Sequence, residues 1–255
     1  KELFAGNNHL SGSLDFTKLP KSIIELELDG NAFIGSVDLT MLPPNIKYLF
    51  LRRTRVSGCV DLTKLPESMQ RLLLDENSLD GSVDLEHLPR KFEVLRLDRN
   101  QLSGCISLAH FPSSTCPFGV YMHENLLSGS LDLTNLPERM QYLNLSTNKF
   151  KGTIDLTKLP SCLELLSLLD NQLSGDITLT ELPTAMSQLF LGKNAFSGDI
   201  RLTKLPMNLR KIYLQENAFS GSLVVKALPA ALELIAIDVA TFKEVTFSSA
   251  RSRKN

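Results

Sequence analysis

The sequence predicts a solenoid of stacked repeats, because one phrase recurs along almost all of its 255 residues. Residues 189–206 read LFLGKNAFSGDIRLTKLP, with LSLLDNQLSGDITLTELP 23 residues earlier and IYLQENAFSGSLVVKALP 23 residues later. Self-similarity with a fixed period of about 20–50 residues is typical of solenoids. Inside each copy, apolar and polar residues alternate. Because the repeat continues without a break in composition, we expect one domain over residues 1–247, including a C-terminal capping segment. A frayed polar tail is expected over 248–255.

A short strand is the first element of each repeat. In residues 69–89, Leu72 and Leu74 alternate with Arg71, Leu73 and Asp75, so one face of the strand is expected in the core. Stacked copies place such strands about 4.8 Å apart in a parallel sheet. About eleven strands are expected, forming a sheet roughly 50 Å long.

An asparagine column follows the strand. Its members are Asn8, Asn31, Asn77, Asn100, Asn125, Asn148, Asn171, Asn194 and Asn217. An inward asparagine at a bend can satisfy backbone groups that would otherwise be buried without partners, and stacked copies form a ladder. We expect a structural role for this column, with weak points where Thr54 and Ala240 replace asparagine.

Glycine and proline columns mark the remaining turns. Ten of the 14 glycines and ten of the 12 prolines recur at 23-residue steps, except for one step of 25 between Gly104 and Gly129. The glycines permit a positive-φ bend. The segment after each glycine, such as residues 82–85, is expected to form a second short strand, followed by a turn or 3-10 segment. The two extra residues lie within 111–122; a role in recognition and drift without function are both compatible with them.

An aspartate recurs on the flank. The members are Asp15, Asp38, Asp61, Asp84, Asp132 and Asp155. We expect local hydrogen bonds to threonine or backbone rather than calcium binding, because calcium requires about six to eight oxygen ligands and each repeat offers one carboxylate.

These columns resemble the leucine-rich repeat family. Residues 69–79 follow L-x-x-L-x-L-x-x-N-x-L, with Met69 in the first slot. The step Ser197-Gly198-Asp199-Ile200 is similar to the plant-receptor subclass, although D-L-T-x-L-P follows where that subclass has proline. The resemblance covers residues 3–237. It implies a right-handed, β-rich α/β solenoid whose strands line a concave face, and the binding of proteins or peptides by that face.

An aromatic column is the strongest candidate contact surface. Four positions before the asparagine slot stand Phe4, Phe50, Tyr121, Phe190 and Tyr213, five of the eleven residues there in a chain that is 7% aromatic. Strand alternation directs this column away from the core. Exposed aromatics resemble the anchors of protein interfaces.

Basic residues lie beside the aromatics in the central repeats. They are Arg52, Arg53, Arg71, Arg96 and Arg99, and His123 and Tyr142 follow them. One hypothesis is that they bind an acidic or phosphorylated segment of a partner. The alternative is that these charges pair across strands and form only a solvated face.

Other function classes find little support. The net charge is −1, so no nucleic-acid partner is expected, and no apolar run approaches the ~18–20 residues of a membrane span. The four histidines lack metal-ligand spacing, and no catalytic motif occurs. We therefore expect no enzyme activity and no cofactor.

The four cysteines are expected to be free thiols. Cys59 and Cys105 occupy one slot two repeats apart, about 10 Å at the strand spacing, and Cys116 and Cys162 are also two repeats apart. A disulfide needs Cα atoms within roughly 7 Å. Free thiols favour an intracellular location, whereas a cell-surface location remains open for a longer chain.

The sequence thus predicts a non-catalytic scaffold that binds a protein or peptide through its concave face. Two alternatives remain open. The chain could be a ligand-sensing receptor ectodomain or the specificity domain of a larger enzyme, with the output domain elsewhere.

Overall fold

One parallel sheet of eleven strands organises the chain. The computed structural model describes residues 1–108 and 118–248. The strands are Glu2–Phe4, Glu25–Glu27, Tyr48–Phe50, Arg71–Leu73, Val94–Arg96, Phe118–Tyr121, Met140–Asn144, Leu165–Ser167, Gln188–Phe190, Lys211–Tyr213 and Leu234–Ala236. Each repeat supplies one strand, and each strand pairs with those of the neighbouring repeats, as Leu26 does with Leu49 and Leu72 with Leu95. The predicted eleven-stranded parallel sheet is confirmed.

The core runs along the whole solenoid. Leu72 and Leu74 are fully buried, as the alternation predicts. Val83 and Leu85 return from the flank to the same interior, with 6% and 1% exposure. Phe92 also packs in this interior, from the segment between the turn and the next strand. One repeat therefore buries apolar residues from three sides, and the next repeat covers them.

The asparagine ladder is confirmed from Asn31 onward, whereas Asn8 in the first repeat makes a single side-chain donation within the described chain, to the Gly6 carbonyl oxygen at 3.0 Å. The amide of Asn100 donates to the carbonyl oxygens of Leu74, Leu97 and Asp98 at 3.0, 3.1 and 3.2 Å, and its oxygen accepts from the Leu79 N–H at 2.9 Å. The same three donations recur at Asn31, Asn77, Asn125, Asn148, Asn171, Asn194 and Asn217.

The two substituted slots differ from this pattern. The Thr54 hydroxyl donates to one carbonyl, that of Leu51 at 3.0 Å, and contacts the Asn77 side-chain oxygen at 3.0 Å. Ala240 lies in a 3-10 helix, Val239–Thr241.

The flank carries shorter strands. They are Ser11–Gly12 and Ala32–Phe33; Ser57–Gly58 and Ser78–Leu79; a five-stranded sheet of Ser103–Gly104, Leu126–Gly129, Lys149–Gly152, Gln172–Asp176 and Ala195–Ser197; and a three-stranded sheet of Ile200–Leu202, Ser222–Lys226 and Glu244–Ser248. Further 3-10 helices span Phe16–Lys18 and Leu39–Met41.

Most flank strands end at or before the glycine of the glycine column in their repeat. The prediction of a second strand after that glycine is therefore wrong for residues 82–85, which form no strand. Nine of the ten column glycines have φ between 75° and 99°, whereas the φ of Gly221 lies outside this range. This bend redirects the chain, and among the described residues pairing beyond it is limited to Asp176 and to the three-stranded sheet.

The aspartate column is tied locally. The side chains of Asp15, Asp38, Asp61, Asp132 and Asp155 accept from the backbone N–H and hydroxyl of the threonine two residues later. These bonds lower the pKa of Asp15, Asp61, Asp132 and Asp155. No group of three metal-ligating side chains occurs among the described residues.

Several sequence expectations concern the irregular segments. Residues 109–117, which include Cys116 and the first part of the segment 111–122, lie outside the described residues. The strand that follows has a register shift between Phe118 and Gly119. Cys59, Cys105 and Cys162 are free, as expected.

At the C-terminal end, Phe242 stacks on Phe219 with ring centroids 6.0 Å apart, and Ser248 ends the final strand. Residues 249–255 of the expected tail lie outside the residues that the structure describes. Within the described chain, no helix has the length and apolarity to cross a membrane.

Candidate functional site: the outer face of the eleven-stranded sheet

The predicted aromatic residues share one surface. We call this surface, the outward side of the eleven-stranded sheet, the sheet face. Phe50, Tyr121, Phe190 and Tyr213 are half-buried on it, in strands whose middle leucine, valine or isoleucine is buried. Phe4 lies on the first strand and is 58% exposed. The predicted outward orientation of the column agrees with these positions.

The aromatic rings form three groups along the sheet face. Tyr48 stacks near Phe50 with ring centroids 6.4 Å apart, and Tyr121 stacks near Tyr142 at 6.5 Å. Phe190 and Tyr213 meet edge to face at 5.0 Å. These groups occupy the third strand, the sixth and seventh strands, and the ninth and tenth strands. The sheet face therefore presents aromatic surface at intervals along most of its length.

Hydrogen bonds and guanidinium groups hold several rings in place. The Tyr48 hydroxyl donates to Gln70 Oε1 at 2.7 Å, and the Tyr142 hydroxyl donates to Glu164 Oε2 at 2.9 Å. The bond to Glu164 raises the pKa of Tyr142, and burial raises the pKa of Tyr121. The Arg96 guanidinium lies 5.0 Å from the centroid of the Tyr121 ring. Side chains fixed in this way lose little conformational freedom when a partner binds.

Each of the five predicted arginines has a carboxylate partner. Arg52 binds Asp29 at 2.6 Å, Arg71 binds Glu93 at 3.0 Å and Arg96 binds Asp98 at 3.2 Å. Arg53 binds Glu76 at 2.9 Å, and Arg99 binds both Glu76 and Glu124, at 3.2 and 3.1 Å. Four of the five arginines therefore pair across strands, in agreement with the alternative, whereas Arg96 binds Asp98 within its own repeat.

Four of these residues form an alternating charge ladder. Arg53, Glu76, Arg99 and Glu124 occupy the same position in successive repeats, and each has φ near 55°. This left-handed conformation directs the four side chains to the same edge of the sheet, where the positive and negative groups meet in order. The Glu76 bonds lower the pKa of this carboxyl, and the Glu124 bond raises the pKa of Arg99.

His123 lies beside the buried Asp98. Its Nε2 is 3.4 Å from Asp98 Oδ2, while its buried Nδ1 has no hydrogen-bond partner among the described residues. Burial lowers the pKa of His123, and the Asp98 charge opposes that effect. The histidine therefore belongs to the packed edge of the sheet face rather than to an exposed basic patch.

A recess opens where Gly119 removes a side chain from the sheet face. The cavity measures about 410 Å³. Its lining consists of Arg71, Glu93, Val94, Phe118, Gly119, Tyr121, Gln141 and Tyr142. A Cβ on Gly119 would lie 3.2 Å from the Tyr121 ring, so a larger residue would crowd this aromatic wall.

The prediction from the sequence omitted three contributors to this surface. Tyr48 lies two residues before Phe50, so strand alternation alone places both on the same face. Glu93 precedes its strand and became relevant only through its bond to Arg71. Gly119 is recognisable in the sequence as an unusual residue for a strand. Its effect on the surface, however, depends on the Tyr121 and Tyr142 rings beside it.

The comparisons with known proteins identify the fold. No protein-family model matches the chain, and no curated protein matches it. The chain is similar to the plant peptide hormone receptor RGFR1 in complex with RGF2, with 21% identity and a TM-score of 0.59, over 98% of this chain and 56% of that chain. The chain therefore spans little more than half the length of this receptor.

Two further solved structures resemble it over a larger share of their length. A plant ice-binding protein has 22% identity and a TM-score of 0.59, with 96% of this chain and 75% of that chain covered. YopM, a leucine-rich effector protein from Yersinia pestis, has 26% identity and a TM-score of 0.61, with 96% and 73% covered. Together with the 23-residue turns and eleven parallel strands, these likenesses identify the chain as a leucine-rich repeat solenoid.

Proposed function

We propose that this chain is a non-catalytic scaffold that binds a peptide or an extended protein segment along the sheet face. The observation that carries the proposal is the alignment of three aromatic groups, at Phe50, Tyr121 and Phe190, on one surface. Tyrosine and other aromatic residues supply large contact areas at low entropic cost, and they are enriched among the residues that dominate binding energy. An extended ligand lying along the sheet would meet these groups in turn.

The recess at Gly119 supports a ligand with protruding side chains. Tyr121 and Tyr142 line it, and its volume of about 410 Å³ exceeds that of any single amino-acid side chain. Arg71 and Glu93 at its rim offer both charged donors and acceptors. A peptide side chain could therefore be enclosed by aromatic walls and fixed by polar groups, which is the usual composition of a specific binding site.

The comparison proteins are compatible with this proposal but do not select it by themselves. RGFR1 is described as a peptide hormone receptor, whereas another protein with the same TM-score is described as ice-binding. The choice of a peptide ligand rests on the aromatic groups of this chain. A receptor ectodomain and the specificity domain of a larger enzyme both remain compatible with a peptide-binding sheet face.

The finer prediction of an acidic or phosphorylated segment has weaker support. Such a segment would have to compete with carboxylates that already bind Arg52, Arg53, Arg71, Arg96 and Arg99. Exchange of one carboxylate for another yields little net Coulomb energy. We retain it as a proposal that the selection experiment below can decide.

The function is tested by selecting ligands from a library of random peptides displayed on phage. We expect the chain to enrich related peptides, and a synthesised consensus peptide to bind measurably in calorimetry. The double variant Phe50→Ala, Tyr121→Ala should keep its circular dichroism spectrum, because both rings lie outside the core. Its affinity for the consensus peptide should fall about thirtyfold or more, since the loss of even one aromatic anchor commonly costs about 2 kcal/mol.

A matched control uses apolar residues exposed elsewhere. Ile34 and Met207 are 57% and 71% exposed and lie outside the strands of the sheet face. The variant Ile34→Ala, Met207→Ala should bind the consensus peptide as the original chain does. Equal affinity of the aromatic variant and this control would contradict the proposal.

A further inference from the structure

A second, smaller cavity lies on the sheet face near its N-terminal end. It measures about 140 Å³, enough for the tip of one side chain. Its lining consists of Asn7, Glu27, Asp29, Gly30, Arg52, Arg53 and Asp75. We call it the Asp75 cavity.

Asp75 is a buried carboxylate with one oxygen atom, Oδ1, that has no hydrogen-bond partner among the described residues. It is 5% exposed, and its Oδ1 accepts no hydrogen bond from the residues in 1–108 and 118–248. The nearest cationic atom is Arg96 Nε, 4.0 Å from Oδ1. That guanidinium is closer to Asp98, at 3.2 Å. Because buried charged groups are normally both paired and hydrogen-bonded, Asp75 Oδ1 lacks a donor that its position requires.

The other buried carboxylates of this region are satisfied. Asp29 accepts from the Arg52 backbone N–H and from Arg52 Nε, both at 2.7 Å. Arg52 is thereby held by Asp29, and Arg53 is bound to Glu76. The two arginines that line the Asp75 cavity thus form ion pairs with carboxylates other than Asp75.

The charge around the Asp75 cavity is unbalanced toward negative. Glu2, Glu25 and Glu27 stand on the first two strands, and none forms an ion pair with a described residue. Burial, followed by repulsion from Glu2 and Glu27, raises the pKa of Glu25. The lining of the cavity itself holds three carboxylates, Glu27, Asp29 and Asp75, and two arginines. The chemistry that complements this end of the sheet face is therefore cationic.

We propose that the Asp75 cavity receives the cationic tip of a lysine or arginine side chain of the partner, with Asp75 and Glu27 as charged acceptors. This inference rests on the proposed function and adds a specificity for basic ligands to it. A bound metal ion fits less well, since no three metal-ligating side chains converge within the described chain. A basic side chain would supply both the N–H donor and the charge that Asp75 lacks.

The test compares ligand selection by the original chain and by Asp75→Asn, each presented with the same phage-displayed random peptides. We expect peptides selected on the original chain to share a lysine or arginine at one position. The consensus peptide should bind Asp75→Asn about tenfold more weakly, as expected when one partner of a buried charge pair is neutralised. Replacing the basic residue of the peptide by norleucine should weaken binding to the original chain similarly, and binding to Asp75→Asn much less.

Two further variants complete the design. Glu27→Gln changes a half-exposed acceptor that makes no side-chain hydrogen bond to a described residue, so it provides a second measurement should Asp75→Asn fail to fold. Glu138→Gln removes an exposed carboxylate from the turn after Pro137 and should leave affinity unchanged.

The outcomes separate this inference from the proposed function. Selected peptides without a basic preference, or equal binding by Asp75→Asn, would overturn the inference while the aromatic variant still tests the function. Enrichment of acidic peptides would overturn it in favour of the acidic-segment proposal. A library from which no peptide is enriched would overturn both.

Discussion

Asp75 differs from Asp29 and Asp98, the aspartates at the same slot in other repeats, because each of those accepts a hydrogen bond from an arginine side chain. Desolvation, and then the Asp98 charge, raise the pKa of Asp75 from the ordinary 3.8 to about 6, because Arg96 only partly offsets them. A folded-state pKa above the unfolded value means that the folded chain binds this proton more tightly. Ionised Asp75 therefore destabilises the fold at neutral pH, and the penalty disappears as the pH falls through 6 toward 4.

This asymmetry gives a stability prediction for Asp75→Asn. The variant should be more stable than the original chain at pH 7.5, by at most about 3 kcal/mol for a pKa change of this size. The difference should shrink as the pH falls through 6, where folded Asp75 takes up its proton, and should vanish only below about 3.8, where the unfolded chain is protonated as well. Urea unfolding of the two chains at pH 7.5, 6 and 4.5 measures it. A stability difference that does not vary with pH would contradict the assignment.

The orientation of single side chains was only partly predictable from the sequence. Period-two alternation correctly places Phe50 and Tyr213 outward, since it depends only on the strand itself. The isolation of Asp75 was not predictable in this way. It depends on whether Arg52 and Arg96, in the neighbouring repeats, turn toward Asp75 or toward Asp29 and Asp98.

At the scale of the repeat element, the bend after the strand relies on asparagine. Asn100 is 9% exposed and donates to three carbonyl groups, two of them within its own bend and one in the preceding repeat. Thr54, at the same slot, donates to the Leu51 carbonyl only. The ladder is predictable from the sequence, because one polar residue recurring among buried leucines needs repeated backbone partners. The flank strands were misplaced, because their alternating sequence does not show where the glycine bend ends the pairing.

The difference between these two slots can be measured. Asn100→Ala should destabilise the chain by about 2–4 kcal/mol, since several buried backbone groups lose their partner. Thr54→Ala should cost about 1 kcal/mol, as expected for the loss of one such bond. Chemical denaturation of both variants provides the comparison, and equal losses would show that the slot, not the amide, sets the stability.

At the scale of the whole molecule, the described strands form a ladder with two open ends. Each internal strand pairs on both sides, whereas Glu2–Phe4 and Leu234–Ala236 pair on one side only. In such solenoids, stability comes from each repeat and its neighbours. The number of strands and their order follow directly from the repeat count in the sequence.

Native-state hydrogen exchange should therefore follow position along the solenoid. Backbone amides of Leu143 and Leu166, in central strands, should be the most protected, and those of Leu3 and Ile235 should exchange much faster. Mass spectrometry of peptides covering these strands resolves the gradient. Uniform protection from end to end would indicate a single cooperative unit instead.

The charge ladder of Arg53, Glu76, Arg99 and Glu124 also bears on how such a chain can change its length through evolution. Loss of the single repeat that carries Glu76 would bring two guanidinium groups side by side, whereas loss of two repeats would restore an opposite-charge contact between Arg53 and Glu124. In this part of the molecule, duplication or deletion in pairs is electrostatically tolerated, and an odd step is opposed.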